Sequence, residues 1–461
     1  MKRIACFCIP AHGHTNPMTQ VVREIVKRGN EVRFYSFEEF GEKIRATGAA
    51  FVPLDSYLPA LTAQEENALK RVSLTEMTLQ DIRITECLND FLAAEFADFQ
   101  PDVVYSDSVC FWGKLNAWKF GVPLVVSTST FAFNQLSSQY MKHSPAEMAD
   151  MIFGLPRISA ALKKLRPLGY HVKGALSLIQ SDNQTDSIVY TSKEFQPYAA
   201  SYSDHYLFVG PSLPADAMPR KEKEKPLVYI SLGTVINDRP DFYKNCIEAL
   251  REVNADVIIS CGNTVDMASL GTLPEHVQVF PRVDQLDVLA RADVFLSHCG
   301  MNSVSESLYM ATPLVLYPQT GEQEAVARRV REIGAGLDLK GDSPDGIRAA
   351  VKQVLAKKAY AQAAEACSKG FRACPGIPGA AAFIEQAPHK SDAPDPLAVL
   401  NKKNGKAILL YWLIGIVIGV LVGVFVGTKF IWIVGMVFGI LQMPFGKIVG
   451  ERNYKRLFGS D

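Results

Sequence analysis

The sequence predicts an α/β protein made of two doubly wound parallel-sheet domains and a C-terminal transmembrane helical hairpin. Short apolar strands alternate with helical segments over residues 1–390, which is typical of parallel sheets. A charge run without apolar residues, at 221–225, interrupts this pattern and indicates a solvated linker. Residues 407–445 are almost entirely apolar. We therefore expect domains at 1–215 and 216–390, a tether at 391–406 and a hairpin at 407–449.

The first domain should begin with a buried strand, Ile4–Ile9, and a helix, Thr15–Arg28, that ends before Gly29. A second strand and a second helix repeat this unit. The further elements expected in this domain are Val32–Ser36, Gly41–Thr47, Val103–Tyr105, Leu124–Ser127 and Ile188–Tyr190. Residues 60–100 and 130–185 are mostly helical and irregular in pattern.

The second domain repeats the alternation of strands and helices. Its expected strands are Leu227–Leu232, Val257–Ser260, Val277–Phe280, Val294–Ser297 and Leu314–Tyr317. Residues 378–386 have the pattern of a closing helix. Two such domains in one chain usually face each other across a cleft, so we expect the functional residues at the facing strand ends.

The segment Ala407–Phe445 contains a single charge, Lys429. As one helix it would be roughly 58 Å long, nearly twice the thickness of a hydrocarbon core of about 30 Å. Two passes that turn near Thr428 fit better, and basic residues flank both ends. These flanking residues are Lys402, Lys403, Lys406, Lys447, Arg452, Lys455 and Arg456. The basic flanks predict a cell-membrane protein with both termini in the cytoplasm, whereas the alternative is a buried apolar hairpin.

Composition excludes several classes of protein. The chain has 461 residues and a formal net charge of +0, which argues against a general nucleic-acid binder. Nine scattered cysteines contain no C-x-x-C pair. We therefore expect reduced thiols, with neither a disulfide framework nor a zinc site.

Residues 293–323 carry the most specific pattern in the chain. A buried strand ends in the tight turn 297–300, after which Asn302 and Ser303 open a helix. A helix N-terminus behind a glycine-containing turn suits a phosphate, because its N–H groups are free. His298 lies at the carboxyl edge of the strand, where ligands bind in such sheets. In the alternative interpretation, Ser303 and Glu306 form only a capping box.

This stretch resembles the nucleotide-sugar signature of family 1 glycosyltransferases, especially the bacterial macrolide and flavonoid glycosyltransferases. The residues that carry the resemblance are His298, Gly300, Asn302, Ser303, Glu306, Pro313, Pro318, Glu322 and Gln323. The resemblance extends over residues 1 to about 390. It implies the glycosyltransferase B fold, in which two Rossmann-like domains face each other across a cleft. It also implies that 60–100 and 130–185 build an acceptor surface, and that the helix at 378–386 crosses back onto the first domain.

The resemblance implies a donor site for a UDP-sugar. Val283 would contact the base through its backbone, His298 the diphosphate, Glu306 both ribose hydroxyls, and Glu322 with Gln323 the sugar, where Gln323 favours glucose. Thr234, in the turn Ser231-Leu232-Gly233-Thr234, would lie near the phosphates. Gln285 belongs to the start of the signature, where Arg282 replaces an aromatic residue frequent in relatives. Arg282 can also stack on a base, but the replacement leaves the base preference open.

The resemblance also identifies a general base. His14, in the pattern Gly13-His14-x-x-Pro17, matches the family's base for the acceptor hydroxyl, with His12 as the rival. A neutral imidazole suits this task near pH 7. Asp107, at the end of a predicted strand, resembles the carboxylate that orients the base. In the alternative, Asp107 or Ser108 only caps the helix that follows.

The chain contains no D-x-D, the motif with which many glycosyltransferases bind a metal ion. We therefore expect no metal and no cofactor beyond the UDP-sugar, which is a co-substrate. The expected reaction is a single displacement that inverts the anomeric carbon, with a hydrophobic acceptor such as a macrolide, polyphenol, sterol or lipid. The alternatives are a nucleotide-sugar epimerase and a membrane-anchored UDP-sugar-binding protein without turnover.

Overall fold

The computed structural model describes residues 1–59, 73–142, 144–172, 174, 178, 182–214, 225–425 and 446–459. These residues contain two β-sheets with helices between their strands, and every strand pair is parallel. The predicted α/β class with two doubly wound domains is therefore confirmed.

The first sheet has seven strands in the order β3-β2-β1-β4-β5-β6-β7. They are β1 (Arg3–Phe7), β2 (Glu31–Ser36), β3 (Ala50–Pro53), β4 (Val103–Asp107), β5 (Leu124–Thr128), β6 (Asp186–Val189) and β7 (Tyr206–Phe208). The helices of this domain are α1 (His12–Lys27), α2 (Gly41–Arg45), α3 (Leu74–Cys87), α4 (Asn89–Phe99), α5 (Phe111–Phe120) and α6 (Pro145–Leu165).

The second sheet has six strands in the order β10-β9-β8-β11-β12-β13. They are β8 (Leu227–Ser231), β9 (Asp256–Ser260), β10 (Val277–Phe280), β11 (Val294–Ser297), β12 (Leu314–Leu316) and β13 (Gly336–Asp338). The helices are α7 (Pro240–Leu250), α8 (Gln285–Leu289), α9 (Met301–Tyr309), α10 (Gly321–Glu332), α11 (Pro344–Ala356), α12 (Lys358–Arg372) and α13 (Gly376–Gln386).

Both sheets change their winding direction at the centre. In the first sheet β1 pairs with β2 on one side and with β4 on the other. In the second sheet β8 pairs with β9 and with β11. A crevice opens beyond the carboxyl ends of the strands at such a point, because the following helices go to opposite faces of the sheet. The loops after β1, β4, β8 and β11 are therefore placed to form a site.

Helix α13 returns to the first domain, where 378–386 was expected to pack. Ala380, Ala381, Phe383 and Ile384 are buried in the same apolar cluster as Met18 and Ile25 of α1. Near the C-terminus of α13, Glu385 forms an ion pair with Arg28 at 3.2 Å. The chain thus crosses between the domains a second time before it continues.

Two further helices follow. Helix α14 (Pro396–Phe425) begins inside the segment expected to be a tether, and residues 446–458 form α15. Leu400 of α14 and Tyr454 of α15 are buried together with Leu136 of the first domain. Farther along α14, Leu409 and Val420 are exposed.

The predicted location in the cell membrane, with two passes at 407–449 and both termini in the cytoplasm, is wrong. Within the described part of the chain, no helix combines the length and apolar character that crossing a bilayer requires. The prediction rested on the apolar composition of the sequence, and composition alone does not establish a spanning helix. Residues 426–445, which hold the expected turn and second pass, lie outside the described residues.

Element ends also differ from the predictions. Helix α1 begins at His12, three residues earlier than expected, so His14 lies in its first turn. The sequence did not indicate β3, β7 or β13, which are edge strands of three or four residues. Strands this short do not show a periodic pattern, and their formation depends on pairing with a neighbouring strand.

Candidate active site

His14 and Asp107 meet at the winding change of the first sheet. Asp107 is the last residue of β4 and its side chain is 0% exposed, while that of His14 is 21% exposed. Nδ1 of His14 lies 2.8 Å from Oδ2 of Asp107. The Ser129 hydroxyl lies 3.0 Å from the same nitrogen. The ring is thereby oriented through Nδ1, which leaves Nε2 as the nitrogen available for another group.

The surroundings of His14 make it more basic. Burial lowers the pKa of His14, but the charge of Asp107, the hydrogen bond to Asp107 and the charge of Glu322 outweigh burial and raise the pKa above 6.5. Glu322 belongs to the second domain. Burial raises the pKa of Glu322, and the charge of His14 opposes this increase. The two groups therefore influence each other across the cleft.

The structure distinguishes His14 from His12 and excludes a capping role for Asp107. His12 is 41% exposed, and its Nε2 lies 3.8 Å from a carboxylate oxygen of Glu39. Helix α5 begins after Cys110 without a side-chain cap. The second carboxylate oxygen of Asp107 accepts the N–H of Val109 at 3.0 Å, within the turn itself. Asp107 therefore orients His14 and does not cap α5.

His298 lies at the winding change of the second sheet, directly after β11. Its ring is packed between two glycines, since a Cβ on Gly233 or on Gly300 would lie within 2.6 Å of the ring. Cys299 adopts a left-handed φ of 67°, which turns the chain sharply after His298. Burial lowers the pKa of His298 to about 4, so the ring is neutral near pH 7. Among the described atoms, its buried Nδ1 has no hydrogen-bond partner.

Glu306 lies in a cluster of hydrogen-bonded polar side chains near the start of α9. The Gln285 amide donates to the Glu306 carboxylate at 2.6 Å and to the Ser303 hydroxyl at 3.2 Å. Burial raises the pKa of Glu306 to about 7, although the Gln285 hydrogen bond opposes the increase. The capping-box interpretation is wrong, because Gly300 is the N-cap of α9, and Ser303 is the third residue of the helix. The carboxylate of Glu306 is thus free of a capping task.

The other predicted donor-site residues lie around this centre. Thr234 and Arg282 are exposed, Val283 is half-buried, and Gly233 has a left-handed φ of 76°. Burial lowers the pKa of Lys43, and the charge of Arg282 lowers it further. Because Lys43 belongs to α2, Arg282 faces the first domain. The structure therefore brings Thr234, Arg282, Val283, Gln285, His298, Gly300, Ser303 and Glu306 to one side of the cleft.

One hydrogen bond brings this group next to the base. The Asn302 amide donates to the Gly13 carbonyl oxygen at 2.9 Å, next to His14. Glu322 and Gln323 lie in the first turn of α10, where the Gln323 amide oxygen accepts the N–H of Gln319 at 2.8 Å. The predicted catalytic and donor residues thus surround one cleft. Sequence reasoning missed Ser129, which follows β5 without any motif, and the contact between Asn302 and Gly13.

The chain matches a family of known enzymes. Residues 214–378 match the model of the family described as UDP-glucoronosyl and UDP-glucosyl transferase. The NDP-glycosyltransferase YjiC of Bacillus licheniformis is 34% identical over 367 residues, which are 76% of this chain and 89% of that protein. The chain belongs to this family of glycosyltransferases. It transfers a sugar from a nucleotide sugar to an acceptor.

Other relatives agree with this assignment. The oleandomycin glycosyltransferase of Streptomyces antibioticus is 31% identical to the glycosyltransferase described here, over 73% of this chain and 79% of that protein. The crystal structure of the glycotransferase of kitacinnamycin is similar with a TM-score of 0.69 and 27% identity, over 84% of this chain and 98% of that one. This similarity supports the glycosyltransferase B fold with two Rossmann-like domains.

Proposed function

We propose that this glycosyltransferase transfers glucose from UDP-glucose to a hydroxyl of a hydrophobic acceptor, and inverts the anomeric carbon. The observation that carries the proposal is the hydrogen-bonded pair of His14 and Asp107, which lies across the cleft from the start of α9. A base on one side and a phosphate-binding helix N-terminus on the other are the two parts that a direct displacement needs.

In the proposed reaction, Nε2 of His14 accepts the proton of the acceptor hydroxyl. The oxygen attacks the anomeric carbon as the bond from that carbon to the UDP oxygen breaks, so one C–O bond forms and one is lost. Asp107 stabilises the imidazolium that results. Because attack and departure occur on opposite sides, the configuration inverts.

We propose that the protein stabilises the departing UDP without a metal ion. The free N–H groups at the start of α9 and the neutral imidazole of His298 are hydrogen-bond donors in a buried, low-dielectric setting. Glu306 would accept the ribose hydroxyls, Arg282 and Val283 would contact the base, and Glu322 with Gln323 would bind the sugar. Turnover should therefore persist in EDTA, and its loss with rescue by Mg²⁺ or Mn²⁺ would contradict this part.

The relatives indicate which acceptor class to test first. Since one relative is an oleandomycin glycosyltransferase, bulky hydroxylated compounds such as macrolides are the first class to test, followed by polyphenols, sterols and lipids. The experiment is an acceptor screen in which UDP release and product mass are measured with UDP-glucose, UDP-galactose and dTDP-glucose.

Four outcomes of the screen discriminate between the possibilities. A β-glucoside from UDP-α-glucose, identified by the NMR coupling of the anomeric proton, supports the proposal. An α-glucoside would exclude inversion. Conversion of UDP-glucose to UDP-galactose without acceptor would instead support an epimerase, and tight UDP-glucose binding without any product would support a binding protein.

A further inference from the structure

The C-terminal helix α15 is joined closely to the first domain. Tyr454 is 2% exposed and packs in one cluster with Leu136 and Leu400. Its ring meets the ring of Tyr198 edge-to-face, with 4.9 Å between centroids. Its hydroxyl accepts the N–H of Ala200 at 3.3 Å. Tyr454 therefore belongs to the core of the first domain, although it lies seven residues before the end of the chain.

The start of α14 is hydrogen-bonded to α15 and to the first domain. The Asn453 amide on α15 donates to the Asn404 amide oxygen on α14 at 2.9 Å. Just before α14, the Asp395 carboxylate accepts a hydrogen bond from Asn183 of the first domain at 2.6 Å. The two helices are thus bound to each other and to the surface of the first domain.

A row of side chains continues from Tyr454 to the second domain. Tyr198 meets Tyr140 edge-to-face at 6.0 Å. The guanidinium of Arg328, on α10, lies 4.0 Å above the Tyr140 ring. The Tyr140 hydroxyl donates to the carboxylate of Glu332, also on α10, at 2.6 Å. Tyr140 therefore connects the C-terminal helix to α10.

The same segment of the first domain also contacts the start of α10. Lys142 forms an ion pair with Glu324 at 2.9 Å. A Cβ on Gly321 would lie 2.4 Å from the Lys142 carbonyl oxygen, so only glycine allows this approach. Residues at the spacing of 321, 324, 328 and 332 share one helical face. The first domain therefore contacts α10 along its whole length, up to the turn that carries Glu322 and Gln323.

We propose that Tyr454 is a positioning residue for the donor sugar. Through Tyr198 and Tyr140, α15 holds α10 in register, and α10 in turn presents Glu322 and Gln323 to the cleft. This inference rests on the proposed sugar-binding role of those two residues. The family model ends at residue 378, so the inference assigns a task in the transferase to a segment beyond it.

The test compares UDP-glucose with UDP, because only the former has a sugar for α10 to recognise. In Tyr454→Ala, UDP-glucose affinity should fall roughly tenfold, since small displacements of binding groups have effects of this order or larger. UDP affinity should change less than about twofold, because UDP lacks the hexose that α10 recognises. Tyr454→Phe, which keeps the ring, should remain close to the wild type. Calorimetry on the full-length protein measures all three.

Hydrogen exchange supplies a second measurement. The amides of α10 should exchange faster in Tyr454→Ala, whereas those of α9 should keep their protection. Ile448→Ala is the matched control, since Ile448 lies on the same helix and is 64% exposed. If Tyr454→Ala does not fold, Tyr140→Ala removes both contacts of that ring with α10 and should give the same selective loss.

A parallel Glu322→Ala variant distinguishes a failure of the positioning role from a failure of the sugar-binding role. If Glu322→Ala loses UDP-glucose affinity and Tyr454→Ala does not, the positioning role is wrong and the sugar site is not. An equal loss of UDP and UDP-glucose affinity in Tyr454→Ala would reduce Tyr454 to a general structural residue and overturn the inference. If Glu322→Ala binds both ligands normally, the sugar-binding role fails and the positioning role fails with it.

Discussion

His14 and His298 lie at the winding changes of the two sheets but have opposite environments. His14 lies in the first turn of the helix after β1, and His298 directly follows β11. His14 is paired with Asp107 at 2.8 Å, and its pKa is raised. Burial lowers the pKa of His298 to about 4. The comparison teaches that sheet topology selects where a histidine lies, whereas its neighbours decide whether it can accept a proton or stays a neutral donor.

The largest effect should come from removing the basic histidine. His14→Ala should lower turnover by about two to four orders of magnitude, the usual contribution of a positioned general base. UDP affinity should stay close to the wild type, because the donor contacts lie in the other domain. Steady-state kinetics and calorimetry check the two parts. The control is His12→Ala, two residues away on the same helix, and an equal loss in that variant would contradict the assignment.

On the donor side, Glu306→Ala should weaken UDP binding by roughly ten- to a hundredfold, since a buried group that binds two hydroxyls is removed. The melting temperature should change little, because Glu306 does not cap α9. Calorimetry and thermal unfolding distinguish the two effects. Normal UDP affinity in a folded variant would exclude contact with the ribose.

The pH dependence should differ between the two sides. The acid limb of kcat/KM should have its midpoint above 6.5, because the raised pKa of His14 means that the base is protonated at a higher pH. UDP-glucose affinity should decrease as pH falls through about 7, where Glu306 becomes protonated and loses acceptor capacity.

The variant Glu306→Gln sharpens this prediction. The fall centred near pH 7 should be absent from its UDP-glucose affinity, since a glutamine does not titrate and His298 remains neutral at that pH. A rise in affinity toward pH 6 would show that His298 titrates there, because an imidazolium attracts the diphosphate, whereas a residual fall would point to Glu322, whose pKa burial raises. A kcat/KM midpoint below 6.5 in the wild type would contradict the influence of Asp107 on His14.

The smallest effect concerns the contact that joins the two sides. Asn302→Ala removes the hydrogen bond to the Gly13 carbonyl oxygen, which should lower turnover about two- to fivefold, in line with about 0.5–1 kcal/mol for one exposed hydrogen bond. Asn302→Asp is a useful companion, because its carboxylate cannot donate to the carbonyl oxygen. If both variants turn over like the wild type, the contact does not help to bring the histidines together.

Much of the donor side was predictable because its residues are close in sequence. The segment 282–323 contains most of them, and one strand-turn-helix unit holds His298 and Glu306 together. The pairing of the general base with its carboxylate was harder to predict, since His14 and Asp107 are 93 residues apart and only the resemblance connected them. Ser129 escaped, because a lone serine after a strand carries no pattern. The membrane hairpin was wrong because composition alone does not establish a spanning helix.

The sequence alone determined the α/β class, the two-domain order and the identity of the residues at the strand ends, because these follow from local periodicity and short motifs. Only the tertiary structure decided that Asp107 faces His14 and that α9 begins before Ser303. It also decided that Glu322 acts on His14 across the cleft and that Tyr454 returns to the first domain. These relations depend on distances between residues remote in the chain, and a one-dimensional pattern does not contain such distances.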